Sequence, residues 1–195
     1  MMLPNQMPRL EYGRVVLRAF ESRDATLVQS VADDALIPSI TTVPSSGTHE
    51  DALAFIARQH HRLAAGTGYS FAVTDSVSDV AVGQIGLWLR DIDQGRVTTG
   101  YWVAPAHRRR GYVTAALHAL ATWALELEEV ERLQLYVEPW NRGSWQAAER
   151  CGFQREGLLR SWQAVGEARR DMFVYSKINE SRFSQGPGPA PTPGR

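Results

Sequence analysis

The stretch of chain from residue 101 to 114, YWVAPAHRRRGYVT, constrains the fold more than any other part of the sequence. An apolar run with strand character leads into a basic loop, and a helix follows with apolar residues at helical spacing from Val113 to Leu127. A helix N-terminus carries unpaired backbone N–H groups and the positive end of the helix dipole. This junction is therefore predicted to bind an anion, and phosphate is the group best suited to it.

The loop itself adds two features that suit a pyrophosphate. Gly111 lets the backbone approach a ligand closely, and Arg108, Arg109 and Arg110 offer forked N–H donors that match phosphate oxygens. A solvated basic turn and a nucleic-acid patch are the alternatives that the spacing alone leaves open. Other phosphate motifs are missing, since no Gly-Lys-Ser/Thr occurs and Gly66-Thr67-Gly68 lacks the third glycine of a dinucleotide fingerprint.

The amino-acid composition argues against several classes of protein. The 195 residues include 21 basic and 21 acidic side chains, so the net charge of zero argues against a general nucleic-acid or membrane-surface binder. Cys151 is the single cysteine, which excludes an intrachain disulfide and favours a reducing compartment. No apolar run is long enough to span a membrane, and no signal peptide is recognisable. We expect a cytoplasmic protein, monomeric or homodimeric, with neither a nucleic acid nor a membrane as partner.

The order of the predicted elements indicates a mixed α/β (α+β) fold in one domain. Several short strands joined by tight turns predict an antiparallel meander, and a strand–helix–strand unit predicts one parallel crossover after it. Helices are expected over 22–33, 48–65, 113–127 and 143–151, and strands over 15–18, 71–73, 81–89, 97–103 and 133–137, before a last hairpin across 153–178. The domain is predicted to span 9–180, and the Pro/Gly-rich segment 181–195 is predicted to be a disordered tail.

Motifs for metal binding and covalent catalysis are not supported. His49-Glu50 lacks the second histidine of a metalloprotease motif, and the side chains of His60-His61 would point apart on a helix. Gly143-Ser144 has the wrong spacing for a nucleophile elbow. Cys151 is expected to be buried at the end of a helix, which disfavours it as a nucleophile. No metal is therefore expected.

Several of these segments together resemble the GCN5-related N-acetyltransferases, the GNAT family. Arg108-x-x-Gly111-x-Val113 is similar to the family's acyl-CoA signature, Gln/Arg-x-x-Gly-x-Gly/Ala. The RimJ/RimL branch is further indicated by four pieces in the right order: Leu17-Arg18 with Asp24-Ala25, Asn141-x-x-Ser144, Gly152-Phe153 and Glu156-Gly157. The resemblance implies a central, mostly antiparallel sheet with a splayed parallel strand pair and flanking helices. It also implies acetyl-CoA, or another acyl-CoA, as cosubstrate.

The resemblance implies roles by position. The pyrophosphate would contact backbone N–H groups from Arg108 through Tyr112 to Val113, with Thr114 near. The pantetheine arm would lie along Trp102 and Val103 and reach Asn141, and Ser144 would lie near the thioester sulfur. A plain helix cap is the alternative for Asn141, and an ordinary first-turn serine is the alternative for Ser144.

Three positions depart from the family pattern. Val113 stands where Gly or Ala is preferred, Thr98 where many members carry a glutamate base, and Ala148 where others carry a tyrosine acid. Transfer from the thioester to an amine still needs a neutral amine, and the leaving thiolate, with a pKa near 8.5 by analogy with cysteine, needs modest assistance from an acid. We therefore predict Ser144 as the acid and Glu138 as the base, with Tyr136 and His107 as weaker candidates. An exposed strand-end carboxylate is the alternative for Glu138.

The acceptor is expected to be a primary amine, either a protein or peptide N-terminus or a small molecule. Direct transfer in a ternary complex is expected, without a covalent enzyme intermediate. Five tryptophans lie on strands and loops expected near the acceptor pocket, where they could form an apolar wall or an aromatic cage: Trp88, Trp102, Trp140, Trp145 and Trp162. Core filling is the alternative, and it is expected for about half of them. An acyl-CoA-binding sensor or interaction module with weak catalysis is the alternative, because the two usual catalytic positions are not filled in the usual way.

Overall fold

A single eight-stranded sheet organises the part of the chain that the computed structural model describes, residues 3–180. Its order is β1-β2-β3-β4-β5-β6-β8-β7, and every neighbouring pair is antiparallel except β5 and β6. The strands are β1 Leu10–Tyr12, β2 Val15–Arg18, β3 Gly68–Asp75, β4 Ala81–Asp91, β5 Arg96–Val103, β6 Arg132–Val137, β7 Gln154–Val165 and β8 Ala168–Ile178. The predicted meander followed by one parallel crossover is confirmed.

Five helices flank the sheet within these residues, together with short 3-10 turns. They are α1 Ala25–Ser30, α2 Ile37–Ile40, α3 His49–Ala64, α4 Tyr112–Glu126 and α5 Arg142–Arg150. The α4 helix is the crossover between β5 and β6, and it buries Leu117 and Leu120 completely against one face of the sheet. The α1 and α3 helices cover the opposite face, where Phe20 and Phe55 meet edge to face. None of the helices described is long and apolar enough to cross a membrane.

The parallel pair is short, and this shapes the site. The pairing of β5 with β6 runs from Arg96 opposite Arg132 to Thr99 opposite Leu135. β5 continues for four more residues, Gly100–Val103, which pair only with β4. β6 meanwhile pairs with β8 up to Val137. The two parallel strands therefore separate beyond Thr99, as a splayed strand pair requires.

The structure corrects some boundaries. The helix predicted over 22–33 is a 3-10 turn, Ser22–Asp24, followed by α1, which ends at Ser30. On α3 the buried face runs through Ala52, Phe55 and Ile56, and Leu53 is exposed. The strand β1 and the helix α2 were not predicted. The segment predicted to be a disordered tail, 181–195, lies outside the described residues.

Candidate active site

The N-terminus of α4 is open to a ligand. Gly111 occupies the N-cap position with φ of 80°, in the left-handed region that glycine adopts without strain. No side chain caps this helix, whereas Thr48 caps α3 and Asn141 caps α5. The first-turn N–H groups therefore lack an intrahelical partner, and a Cβ at Gly111 would meet no atom within 4 Å. Gly111 is needed here for its backbone conformation, and the space beside it is open.

Hydrogen bonds among Arg14, Asp75 and Tyr112 hold the loop that precedes α4. The hydroxyl of Tyr112 donates to Oδ2 of Asp75 at 2.7 Å, and Nη2 of Arg14 donates to the same carboxylate at 3.0 Å. Nη1 of Arg14 also reaches the carbonyl oxygen of Arg110 at 3.4 Å. The bonds from Tyr112 and Arg14 lower the pKa of Asp75 well below its usual range. Three chain segments thus fix the start of α4.

The three loop arginines differ in their surroundings. Nε of Arg108 donates to the carbonyl of Val103 at 3.0 Å, and its Nη2 pairs with Asp34 at 3.0 Å. Arg109 adopts a positive φ of 60°, and the side chains of Arg109 and Arg110 are exposed. Arg108 therefore ties the loop to the end of β5 and to the segment before α2. The guanidinium of Arg108 was expected to be free for a phosphate, but these two bonds already occupy it.

The backbone of Val103 faces the opening between β5 and β6. The N–H of Ala104 donates to the carbonyl of Val82 on β4, 2.9 Å away. Because backbone groups of successive strand residues point to opposite sides, the N–H and carbonyl of Val103 point away from β4. Both groups point toward the side where β6 no longer pairs with β5. The carbonyl is bound by Arg108, and the N–H faces the opening.

Asn141 and Ser144 lie across this opening. The side chain of Asn141 accepts a hydrogen bond from the N–H of Ser144 at 3.2 Å, so Asn141 caps α5 as expected. The phenol oxygen of Tyr101 lies 2.9 Å from Oγ of Ser144 and donates to the carbonyl of Ser144 at 3.1 Å. Burial raises the pKa of Tyr101 far above its usual value, although the bond to Ser144 opposes this. The phenol therefore stays protonated at neutral pH.

A cleft of about 690 Å³ extends from these residues. Its walls come from α2 and the following loop, from α3, from β4–β6, from the segment before α5 and from the β7–β8 hairpin. Trp102, Asn141 and Ser144 are among its lining residues, and so is Glu138. The structure therefore brings to one cavity the two residues predicted as acid and base and two of those predicted to contact the pantetheine arm. Two charged side chains line it, Glu138 and Arg62.

Glu138 is not the exposed strand-end carboxylate that the sequence left open. Its side chain is 12% exposed, and its Oε2 accepts a hydrogen bond from Nε1 of Trp140 at 2.7 Å. Nε of the exposed Arg170, on β8, lies 4.0 Å from the same oxygen. A carboxylate with one tight donor and one distant cation retains acceptor capacity toward the cleft.

Three of the five tryptophans line the cleft, namely Trp88, Trp102 and Trp140. Trp145 instead packs against the core and donates to the carbonyl of Pro139 at 3.3 Å. Trp162 stacks on Tyr136 with ring centroids 5.6 Å apart. Core filling, the alternative expected for about half of the five, holds for Trp145, whereas Trp162 contacts Tyr136 without lining the cleft itself.

Glycines on two strands make room for Trp88. Gly86 on β4 pairs with Gly100 on β5. A methyl group at Gly86 would overlap the indole of Trp88, and one at Gly100 would lie 3.8 Å from its Nε1. The indole therefore lies against the sheet and forms part of the cleft floor.

A buried polar chain supports the same floor. Nε1 of Trp102 donates to Gln84 at 2.7 Å, and Nε2 of Gln84 donates to Ser70 at 2.7 Å and to Gln59 at 3.0 Å. Gln59 on α3 is fully buried and also accepts from Nε of Arg62 at 3.1 Å. These hydrogen bonds link Trp102 on β5 to Arg62 on α3 through side chains of β3 and β4, and so fix the two residues relative to each other. Sequence reasoning missed it, because its members are far apart in the chain.

The remaining predicted residues lie in varied places. Val113 packs against the core below α4. Tyr136 lines the cleft, and its hydroxyl donates to Gln134 at 3.2 Å. His107 lies edge-on to Tyr112, outside the cleft lining. Cys151 is buried, as expected, and burial raises the pKa of its thiol, which disfavours the nucleophilic thiolate. No group of three or more His, Cys, Asp or Glu side chains within 3–180 could hold a metal ion.

Known proteins share this sequence pattern and fold. The family profile described as an acetyltransferase (GNAT) domain matches residues 14–154. The uncharacterized N-acetyltransferase p20 of Bacillus licheniformis is 24% identical over 172 residues, which cover 88% of this chain and 97% of that protein. The ribosomal-protein-serine acetyltransferase of Escherichia coli is 31% identical over 83 residues, 43% of this chain and 46% of that protein.

A solved structure extends the comparison to the fold. RimJ of Mycobacterium smegmatis, in complex with CoA-disulfide, superposes with a TM-score of 0.78 at 22% identity, covering 92% of this chain and 91% of that one. The chain belongs to the GNAT acetyltransferase family, with relatives of the RimJ/RimL type. The expected N-acetyltransferase is confirmed at the level of that family.

Two residues of the site were not predicted. Tyr101 was interpreted only as part of a strand, and Arg62 was given no role. The signal for Tyr101 was its place two residues before Val103, on the strand expected to bind the pantetheine arm. No local signal marks Arg62, since its role depends on Trp88 and Gln59, which the fold brings to it.

Proposed function

We propose that this protein transfers an acetyl group from acetyl-CoA to a primary amine, directly and within a ternary complex. The observation that carries the proposal is the separation of β5 from β6 beyond Thr99, with the N–H of Val103 facing the opening and Ser144 lining it. The uncapped start of α4 follows directly from the end of β5, and the cleft with Glu138 adjoins it. The arrangement provides one place for each part of the two substrates.

The residues present fit acetyl-CoA. The open space beside Gly111 and the uncapped first turn of α4 suit the pyrophosphate. The carbonyl of Val103 keeps a second lone pair beside its bond from Arg108 and would accept from a pantetheine amide N–H, and Trp102 and Asn141 would border the arm. The exposed Arg109 and Arg110 would add charge near the phosphates. Since the side chain of Val113 packs downward against the core, its N–H remains available on the ligand side.

The transfer itself requires one bond to form and one to break. The amine nitrogen attacks the thioester carbonyl carbon, the new C–N bond forms, and the C–S bond then breaks to release CoA. Developing charge on the carbonyl oxygen would be stabilised by the N–H of Val103. The proton from the amine passes to Glu138 or to water. The departing thiolate takes a proton through the hydroxyl of Ser144, which regains one from water, so that the serine ends the step protonated.

The acceptor's own basicity determines how much help it needs. An α-amine with a pKa near 8 is about one-tenth neutral at pH 7, whereas a lysine-like amine with a pKa near 10.4 is neutral to about four parts in ten thousand. The carboxylate of Glu138 lines the cleft and would accept a proton from an amine bound there. We favour α-amines of peptides or small molecules, because they demand less of this base.

Initial-velocity kinetics test the proposal. CoA release is measured while acetyl-CoA and a panel of primary amines are varied together, and products are identified by mass. Intersecting double-reciprocal lines and acetylated amine support direct transfer. Parallel lines would indicate a covalent intermediate and contradict it. Tight binding of acetyl-CoA with no acetylated product from any amine would favour the alternative, a sensor or interaction module.

A further inference from the structure

The charges in the cleft are few and of opposite sign. Of the residues that line the cavity, Arg62 is the one cation and Glu138 the one carboxylate. Arg62 comes from the last turn of α3, and Glu138 follows the end of β6. The proposed function uses Glu138 at the amine and leaves Arg62 without a role.

Arg62 is held in place but has no counter-ion. Its Nε donates to Oε1 of Gln59 at 3.1 Å, and its guanidinium carbon lies 4.6 Å from the ring centre of Trp88. Within residues 3–180 it forms no ion pair, and its two terminal nitrogens donate no hydrogen bond. The planar fork is therefore fixed by two neighbours while its outer donors stay available on the cleft side.

Two other arginines that are buried or partly buried are paired with carboxylates. Arg18 pairs with Asp24 at 2.7 Å, and Arg132 pairs with Glu156 at 2.8 Å. Burial, with the neighbouring Arg58 cation, lowers the pKa of Arg62, although a guanidinium remains charged at neutral pH. Because a partly buried charge without a partner is unfavourable, the site gains from an anion that arrives with the substrate.

We propose that Arg62 binds an anionic group of the acceptor, so that the acceptor is a primary amine that also carries a carboxylate or a phosphate-type group. The ammonium end of the acceptor lies toward Glu138. The anionic end lies against the guanidinium of Arg62, which itself stacks on Trp88. This inference rests on the proposed function and adds the substrate class to it. Arginine suits the task because its fork binds carboxylate and phosphate oxygens in a bidentate manner.

Matched amines test the proposal. The panel contains ω-amino acids from glycine to 6-aminohexanoate, the corresponding carboxamides, and the corresponding aminoalkylphosphonates. Two measurements are made on each: acetyl transfer, as KM and kcat, and calorimetric binding to the CoA-loaded protein. The carboxamide keeps the amine and the chain length and removes the anion. Because loss of the carboxylate also lowers the amine pKa, KM is compared at equal concentrations of neutral amine. The phosphonates separate a carboxylate preference from a phosphate preference.

Variants separate ligand binding from support of the fold. Arg62→Gln removes the charge and keeps a hydrogen-bonding side chain toward Gln59, while Arg62→Lys keeps the charge and removes the fork. Arg90→Gln is the matched control, since Arg90 is an exposed arginine on β4 that does not line the cleft. Melting temperature and acetyl-CoA affinity are recorded for each, so that a misfolded variant is recognised.

The expected result is an anionic member of the panel whose KM and Kd are at least about tenfold below those of its carboxamide in the wild type and in Arg90→Gln. The preference should fall to about twofold or less in Arg62→Gln and be partly retained in Arg62→Lys. Equal KM and Kd for anionic and neutral partners overturns the inference and leaves the proposed function standing. Absence of transfer to every amine overturns the proposed function. In that case the binding data alone test the role of Arg62, and equal Kd values for anionic and neutral amines would contradict that role.

Discussion

The phenol oxygen of Tyr101 lies 2.9 Å from Oγ of Ser144, across the opening between β5 and α5. The same phenol donates to the carbonyl of Ser144 at 3.1 Å. When it does so, the hydroxyl of Ser144 is free to donate either to the phenol oxygen or to a ligand. Tyr101 therefore positions the side chain that we propose as the acid, and the first turn of α5 is fixed to β5.

Ser144→Ala should lower kcat by about 100-fold, with a smaller effect on the KM for acetyl-CoA, because it removes the proton donor to the thiolate. Tyr101→Phe should lower kcat less and reduce the melting temperature, because it removes a positioning hydrogen bond. Steady-state kinetics on both variants provide the measurement. Ser30→Ala, at an exposed serine of α1, is the control. An unchanged kcat in Ser144→Ala would exclude Ser144 as the acid.

Gly111→Ala should weaken acetyl-CoA binding by about tenfold or more. Alanine at a φ of 80° is disfavoured by about 1–2 kcal/mol, so the loop would shift and misdirect its N–H groups. Gly166→Ala is a matched control, since Gly166 has φ of 60° in the β7–β8 turn and also has open space beside it. Calorimetric titration of both variants checks this. Similar acetyl-CoA affinity in the two would argue against the α4 terminus as the pyrophosphate site.

Glu138→Gln should change the pH dependence of transfer. With Glu138 present, a bound ammonium loses its proton to the carboxylate, so the rate levels off at a lower pH. In the variant the rate should follow the neutral fraction of the amine, rising about tenfold per pH unit below the amine pKa. The loss should be larger for lysine-like amines than for α-amines. Glu167→Gln, at the exposed hairpin turn, is the control. Superimposable pH profiles for variant and wild type would remove this role.

Acid should weaken the link between β6 and the last hairpin. Glu156 accepts from Arg132 at 2.8 Å and from Ser176 at 2.6 Å, and these bonds lower its pKa to about 2. Its stabilising contribution is present above the unfolded value of about 4.3 and is lost as pH falls toward about 2. Since the carboxylate is 42% exposed, the contribution is about 1 kcal/mol or less. Urea unfolding of Glu156→Gln should show this deficit at pH 7 and none at pH 2; a pH-independent deficit would contradict the assignment.

Local signals in the sequence predicted much of the fold and the structural positions of residues that we propose for cofactor binding. The junction before α4, the cap at Asn141 and the order of strands all depend on neighbouring residues, and each is where the pattern indicated. The helix predicted over 22–33 was too long, because the segment after Ser30 leaves the helix and supplies Asp34 to Arg108. Because Asp34 and Arg108 are 74 positions apart, the residues around Asp34 give no sign of this ion pair.

The acceptor side could not be predicted in the same way. Arg62, Trp88 and Glu138 come from three elements whose approach is set by packing, and the cleft that they line exists only in the folded chain. The tryptophan count suggested an aromatic pocket, yet Trp145 and Trp162 pack elsewhere. Which face of a long hairpin an indole occupies depends on twist and register, and β7 has register shifts near this point.

A thermal-shift titration with acetyl-CoA, free CoA and dephospho-CoA tests the central claim most directly. Ligand at about 100 times its Kd adds about 2.7 kcal/mol to the stability of the folded state, which for a chain of this size raises the melting temperature by about 5–10 °C. We predict such a rise with acetyl-CoA, reduced in Gly111→Ala and retained in Gly166→Ala. No rise with any of the three ligands would contradict the account, because the opening between β5 and β6 would then not be an acyl-CoA site.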